Sequence, residues 1–275
     1  MAGNFFLKNT RGIRRHIRTA MVAGLPLRSG SPHTLPGELI VSLTSYPKRF
    51  PTLHLTLRSL LSQDMRPNRI ILWIAEADMP ALPVAVQKLT GIKIMPCADL
   101  HSYKKIVPTL TSWPDAFILI ADDDVFYPRA WLRRFVEEYR SPKEILCQHA
   151  RIIRVGEPYR SWGRVTQPNS ADVLPIGMAG VLYPPGSLPP ETTNAAQFMM
   201  LCPNGDDLWL YWMSTRNGCT HRMIKPAGEF MAWPKSQRCA LWRINTGGGQ
   251  NDRALSALVE AYGTLPQTPA HAELT

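Results

Sequence analysis

The sequence predicts an α/β fold in which a mostly parallel sheet is flanked by helices and followed by a smaller mixed half. Three observations carry this expectation. Short apolar runs alternate with helical-period segments between residues 38 and 140. The run "AFILIA" at 116–121 ends abruptly in Asp122, Asp123 and Asp124, as a buried strand does where it reaches solvent or a ligand. After residue 140 the alternation weakens into short strand-like pieces among loops.

The elements follow in order. The first 37 residues hold Lys8, Arg11, Arg14, Arg15, Arg18 and Arg28 and no acid, with Phe5, Phe6, Leu7, Ile13, Ile17, Met21 and Val22 interleaved. Residues 1–30 thus read as a basic amphipathic arm suited to an anionic membrane surface, with a frayed basic terminus as the plain alternative. The stretch 24–37 is a linker, rich in proline, glycine and serine. A strand is expected at 38–44. The segment "PTLHLTLRSLLSQ" places Leu53, Leu57, Leu60 and Leu61 at helical spacing, with Thr52 as a cap. Strands follow at 68–75 and 91–95. A short helix within "HSYKKIVPTLTSW" is disturbed at Pro108, the fourth strand is 116–121, and a helix starting at Pro128 is stopped by the "SP" at 141–142. In the second half, "EILCQHARII", "DVLPIGMAGVLYPPG" and "CTHRMIKP" read as strands. "NGDDLWLYWMSTRNG" reads as a helix ended by Asn217-Gly218, and "QNDRALSALVEAYG" as the last helix, capped by Asn251 or Asp252. The expected organisation is an arm and linker (1–37), one domain (38–263, divided near residue 140) and a loose tail (264–275).

Bulk properties narrow the function classes. The chain has 275 residues, 45% of them apolar and 19% charged, enough to bury a sizeable core. Five dispersed cysteines without a CxxC fit reduced thiols in a cytoplasmic protein better than a disulfide frame or a zinc site. No apolar run approaches the ~20 residues that span a bilayer. The net charge of +10 is concentrated in the arm. Elsewhere the basic residues form no stripe with interleaved aromatics, so nucleic acid is not the expected partner.

The aspartates carry the chemistry. In an extended segment Asp122 and Asp124 share one side and Asp123 takes the other. Two carboxylates on one side suit a hard divalent ion, Mg²⁺ or Mn²⁺, leaving positions for phosphate oxygens. A helix-capping acidic turn is the plain alternative. A second pair, Asp206 and Asp207, follows the Pro203-Asn204-Gly205 turn and opens a helix, where carboxylates are favoured by the dipole alone. Beside a metal, one of them could instead act as a general base. "IGMAGVLYPPG" (176–186) is a candidate wall of the site and "NTGGGQND" (245–252) a candidate lid; both could equally be ordinary connections. His149 and His221 stand in no motif and are left out of the metal site. The tryptophans of this half are read as core.

Taken together, "IVSLTSYPKRFPTLHLTLRSLLSQ", "LIADDDVFYP" and "NGDDLWL" give the chain a resemblance, over about residues 38–255, to family 2-type glycosyltransferases of the GT-A fold, of the small bacterial kind that builds surface polysaccharides. The resemblance implies a Rossmann-like sheet and transfer of a sugar from a nucleoside-diphosphate sugar, UDP ahead of GDP, to a glycan or lipid-linked acceptor in polysaccharide or lipopolysaccharide synthesis. It implies Asp124 as a direct Mn²⁺ or Mg²⁺ ligand and Asp122 at the ribose or the metal, with Asp123 nearby. Thr44, Tyr46 and Arg49 fall in the nucleotide loop. Lys105, or else Lys104, reaches the diphosphate, and a solvated helix face is the plain reading of these lysines. Asp207 is the implied base of an inverting transfer, with Asp206 as the alternative because Asp stands where Glu is more usual. The location implied is cytoplasmic, peripheral on the inner face of the membrane.

Two other classes compete. A haloacid dehalogenase-type phosphatase motif wants Thr or Val where Phe126 stands, and it normally begins its domain, whereas about 80 residues of alternating structure precede the aspartates here. A binding module without catalysis would use the same nucleotide site and have no turnover.

Overall fold

The computed structural model describes residues 30–154, 156–171, 173–234 and 249–264, together with Thr19, Val22, Gly24 and Ser236. Most of the basic arm, the front of the glycine-rich segment (245–248) and the tail from 265 lie outside them.

The first half builds β1 (Leu39–Ser45), α1 (Phe50–Leu61), β2 (Arg69–Ala75), β3 (Lys93–Cys97), α2 (Val107–Ser112), β4 (Phe117–Ala121), a short β5 (Val125–Phe126) and α3 (Trp131–Glu138). The second half adds β6 (Glu144–Cys147), β7 (Ala150–Ile152), β8 (Ser170–Ala171), β9 (Val173–Pro175), β10 (Val181–Tyr183), α4 (Ala195–Leu201), α5 (Asp206–Arg216), β11 (Thr220–Met223), β12 (Met231–Ala232) and α6 (Gln250–Tyr262).

An eight-stranded sheet runs in the order β8-β11-β6-β10-β4-β1-β2-β3. β3, β2, β1 and β4 are parallel neighbours, and β6 and β11 run the same way, while β10 and β8 are antiparallel to their neighbours. The sheet is continuous across residue 140, because β10 pairs with both β4 and β6. The central strands are apolar along their whole length since both faces are covered. On β1, Leu39, Val41 and Leu43 enter the core shared with α1 and α3, and Ser42 faces the other side. There its hydroxyl meets Thr109 of α2 at 2.7 Å, and the Trp73 indole of β2 donates to the same Thr109 oxygen at 2.7 Å. The opposite core gathers Ile118, Ile120, Ile145 and Val181 under α5 and α6. Each such side chain contributes about 1.5–3 kcal/mol by leaving water.

Several local expectations are corrected. Thr52 does not cap α1: the helix starts at Phe50, and Thr52 is its third residue. Pro108 does not disturb α2 but sits in its first turn, where the missing N–H has no intrahelical acceptor anyway. "EILCQHARII" is not one strand. It breaks at Gln148, whose side chain donates to the Trp131 carbonyl (3.2 Å) and accepts from the Ala227 N–H (2.8 Å). The last helix is preceded by Gly249 at φ 67°, and neither Asn251 nor Asp252 caps it. Asp252 instead accepts from the Tyr159 N–H at 2.6 Å. Among the described residues Cys97, Cys147, Cys202 and Cys219 are free thiols, and no helix is long and apolar enough to cross a membrane.

Candidate active site

The strand order β3-β2-β1-β4 has its topological switch between β1 and β4, and ligands of open α/β sheets collect beyond the carboxyl ends of such strands. Ser45 ends β1 there, Tyr46 and Arg49 follow it, and the three aspartates follow β4. Asp122–Asp124 do not continue the strand as an extended segment. Asp123 and Asp124 lie in a turn between β4 and β5, so side-chain alternation does not apply. The carboxylates diverge instead. Asp122 meets Lys105 (3.1 Å), Asp123 accepts from the Ser45 hydroxyl (2.5 Å), and Asp124 pairs with Arg49.

Other parts of the fold hold this turn in place. The Thr56 hydroxyl of α1 donates to the Asp123 and Val125 carbonyls (2.8 and 3.1 Å) and accepts from the Trp233 indole (2.7 Å). The Trp233 N–H reaches the Asp124 carbonyl at 3.0 Å. The Tyr127 hydroxyl accepts from the Asp122 N–H (2.7 Å) and donates to the Met178 carbonyl (3.1 Å). The aspartate turn is thereby fastened to the turn at Gly177–Ala179, which the Trp131 indole secures through the Ala179 carbonyl at 2.7 Å. The close approach requires glycine at 180, at φ 94°, since a Cβ there would stand 2.7 Å from the Trp131 ring.

The second acidic pair arrives at the same place. Asp206 and Asp207 open α5 after Gly205. Asp206 lies 2.8 Å from the Lys105 ammonium, and Asp207 accepts from the Gly177 N–H at 3.1 Å. A Cβ at Gly177 would stand 2.8 Å from Lys105 Nζ and 3.2 Å from Asp207 Oδ1, so glycine is what lets the backbone reach in. Lys105 therefore links the two motifs. Its position is set by the 3₁₀ turn His101–Lys105. There the Tyr103 hydroxyl donates to the Cys202 carbonyl at 2.5 Å, and the Tyr103 ring stacks on Phe198 at 4.0 Å. Lys104 pairs with Asp99 and does not enter the cluster. Both lysines are buried, at 4% and 6% exposure, which overturns the reading of a solvated face.

Burial works against the Lys105 charge, but Asp122, Asp206 and Asp207 hold its ammonium well above the ordinary value. Arg49 behaves likewise: burial disfavours its charge, and Asp123 and Asp124 raise it. The carboxyls respond oppositely. Burial pushes Asp123 up to about 7 and also raises Asp124, in both cases against the pull of Arg49. Burial, with Asp206 beside it, pushes Asp207 up to about 8.

This charge pattern tests the expected metal. Five carboxylates (Asp122, Asp123, Asp124, Asp206 and Asp207) share two cations, Arg49 and Lys105. A site that is also to receive a diphosphate has surplus negative charge, and a divalent cation is the group that fits it. Among the described residues no three His, Cys, Asp or Glu side chains form a metal cage. Magnesium-type ions are commonly held by one or two carboxylates, with substrate phosphates and water completing the shell, so the donor set still fits.

Of the other expected residues, Tyr46 hydrogen-bonds Arg49, while the Thr44 hydroxyl donates to the Trp73 carbonyl on the neighbouring strand at 2.8 Å. His221 is a core residue against the Ser214 hydroxyl (2.8 Å), and burial lowers it to about 3. Trp162, Trp209, Trp212 and Trp233 are all buried. Ser45, Thr56, Tyr127 and Gly177 serve the site without having been singled out. Ser45 and Gly177 lie within the "SYPKR" and "IGMAG" stretches that drew attention; Thr56 and Tyr127 carry no signal beyond a polar group beside a buried run.

No protein-family model matches the chain, and no curated protein matches it. Among solved structures, it is similar to the inositol-1-phosphate CTP transferase from T. maritima at 10% identity and TM-score 0.46, over 83% of this chain and 98% of that one. It is similar to a CMP:2-keto-3-deoxy-manno-octonic acid synthetase complexed with CTP at 10% identity and TM-score 0.40, over 83% and 99%. A third similarity is to the mannosyltransferase PcManGT from Pyrobaculum calidifontis, in complex with GDP-Man and Mn²⁺. It has 12% identity and TM-score 0.31, covering 50% of this chain and 43% of that one. At these scores the likenesses assign no residue, and the architecture rests on the strand order and directions described above.

Proposed function

We propose that the protein is a metal-dependent glycosyltransferase of the family 2, GT-A type, moving a sugar from a nucleoside-diphosphate sugar, UDP ahead of GDP, to a hydroxyl of a glycan or lipid-linked acceptor. The observation that carries the reading is Lys105, which joins the aspartate turn after β4 to the acidic start of α5 at the sheet's switch point. Asp124 is the carboxylate that would hold Mn²⁺ or Mg²⁺ directly, with Asp122, which turns toward Lys105, at the ribose or the metal shell. When bound, the ion would offset charge on the leaving diphosphate. Arg49, Tyr46 and Thr44 stand at the end of β1 for the nucleotide. An ammonium has three N–H donors. The two aspartates take at most two of those on Lys105, leaving one for a phosphate oxygen.

Asp207 is the proposed base. Asp206 is committed to Lys105, whereas Asp207 is steered by a backbone N–H and has a proton affinity suited to transfer near neutral pH. It takes the acceptor's hydroxyl proton as that oxygen bonds to the anomeric carbon and the bond to the nucleoside diphosphate breaks, which inverts the centre.

Melting curves with UDP, GDP and CMP, each with and without Mn²⁺, test this. One diphosphate with Mn²⁺ is expected to stabilise the wild type, by about 2.7 kcal/mol at a hundred times Kd, and to fail in Asp124→Asn. No shift with any of the three would sink the reading. The proposed location is the inner membrane face in bacterial polysaccharide or lipopolysaccharide synthesis, reached through residues 1–30. Deleting those residues is expected to abolish sedimentation with anionic vesicles, and retained binding would overturn that location.

A further inference from the structure

A pair of arginines, on β7 and on the segment opposite it, is not used by the transfer chemistry. Arg151 on β7 faces Arg164 in an antiparallel bridge. The flanking bonds run from the Ile152 N–H to the Gly163 carbonyl (2.9 Å) and from the Val165 N–H to the Ala150 carbonyl (3.0 Å). Arg151 and Arg164 are therefore a non-hydrogen-bonded pair, the kind whose side chains stand closest. Like charges placed directly opposite in this way repel. The acids on these segments do not relieve them. Glu157 pairs with Arg154 and accepts from Ser161, and Asp252 accepts from the Tyr159 N–H. Among the described residues neither guanidinium has a carboxylate within ion-pair distance.

The cluster is also in the right place. His149 lies two residues before Arg151, and its carbonyl accepts from the Ile176 N–H at 2.9 Å. The next residue, Gly177, donates to Asp207. Burial, with Arg164 and Arg151 nearby, lowers His149 to about 4, so the imidazole is neutral at physiological pH. Arg151 is held by the Trp162 carbonyl (3.0 Å) and lies over the Tyr159 ring at 4.8 Å, while Arg164 is exposed.

From this geometry we infer that Arg151 and Arg164 form an anion subsite beside Asp207, which receives a phosphate or carboxylate carried on the acceptor. An anion between the guanidiniums removes their repulsion and makes charge-assisted bonds to both. The acceptor class is thereby narrowed to anionic glycans or glycan phosphates. The assignment to the acceptor rests on the proposed glycosyl transfer.

Titration calorimetry with glucose 6-phosphate, glucose and inorganic phosphate tests it on the full chain. Glucose 6-phosphate is expected to bind the wild type with the same affinity whether or not saturating UDP and Mn²⁺ are present, and to bind Arg164→Gln about tenfold more weakly. Glucose is expected not to bind. Without ligand, Arg164→Gln is expected to melt about 1–3 °C higher than wild type, because the cross-strand repulsion is gone. Four results would overturn the inference: no binding of the sugar phosphate, equal affinity for Arg164→Gln, displacement of the sugar phosphate by UDP, or no rise in melting point. Tighter binding of inorganic phosphate than of the sugar phosphate would assign the subsite to a free anion and overturn its acceptor role. The nucleotide reading fails separately, if UDP does not bind, whatever the sugar phosphate does.

Discussion

Asp207→Asn is expected to lower kcat by about a thousandfold while leaving the Kd for the nucleoside diphosphate within about twofold. The amide keeps the acceptor oxygen for the Gly177 N–H but cannot take a proton. A binding module would show no turnover in either form, so the wild-type rate separates the two classes. Burial and Asp206 push Asp207 up to about 8, and only the ionised carboxylate is a base. The wild-type kcat/KM should therefore rise about tenfold per pH unit below 8 and level off above it. Stability should move the other way. A carboxyl whose folded value lies above its unfolded one keeps its proton in the fold between about pH 4 and 8, where the unfolded chain has lost it. The folded state then binds more protons, and stability falls as pH rises through that window. Urea midpoints across pH 4–9 should show this slope in wild type and a flatter one in Asp207→Asn. Identical slopes would mean that Asp207 is not held high.

Much of the parallel sheet was legible because burial on both faces leaves an unmistakable trace. β1, β2 and β4 are continuous apolar runs, and their ends fall within a residue or two of those expected from sequence. The position of the aspartates beyond β4 followed directly. What was not legible depends on contacts distant in sequence. Nothing local to "SYKK" says that Lys105 and not Lys104 turns inward, because the Tyr103 anchor that fixes the turn is the carbonyl of Cys202. The divergence of Asp122 and Asp124 was hidden for the same reason: Arg49 and Lys105, which draw them apart, come from different elements. Gly177 lies in a stretch that reads as a strand and a candidate wall of the site, but nothing local marks its N–H as the partner of Asp207. The break at Gln148 depends on the Trp131 carbonyl and the Ala227 N–H, two partners on opposite sides of it in sequence.

Lys105→Met is expected to cost about 3–5 kcal/mol of stability, since it leaves buried carboxylates without their cation. Asp206 suffers most: it is 7% exposed, while the Asp122 side chain retains access to water. The double variant Lys105→Met/Asp206→Asn should recover a large part of that loss, because a neutral amide needs no counter-charge. Nucleotide binding should not recover with it, since the ammonium that would meet the phosphate is still missing. This divergence distinguishes the proposed role from a merely structural one. If Lys105 only stapled α5 to the aspartate turn, restoring the fold would restore UDP binding. Recovery of both in the double variant would remove Lys105 from the donor site. Recovery of stability alone would place one ammonium in two roles: in the unliganded protein it holds the two acidic motifs together, and in the complex it turns one N–H to the diphosphate.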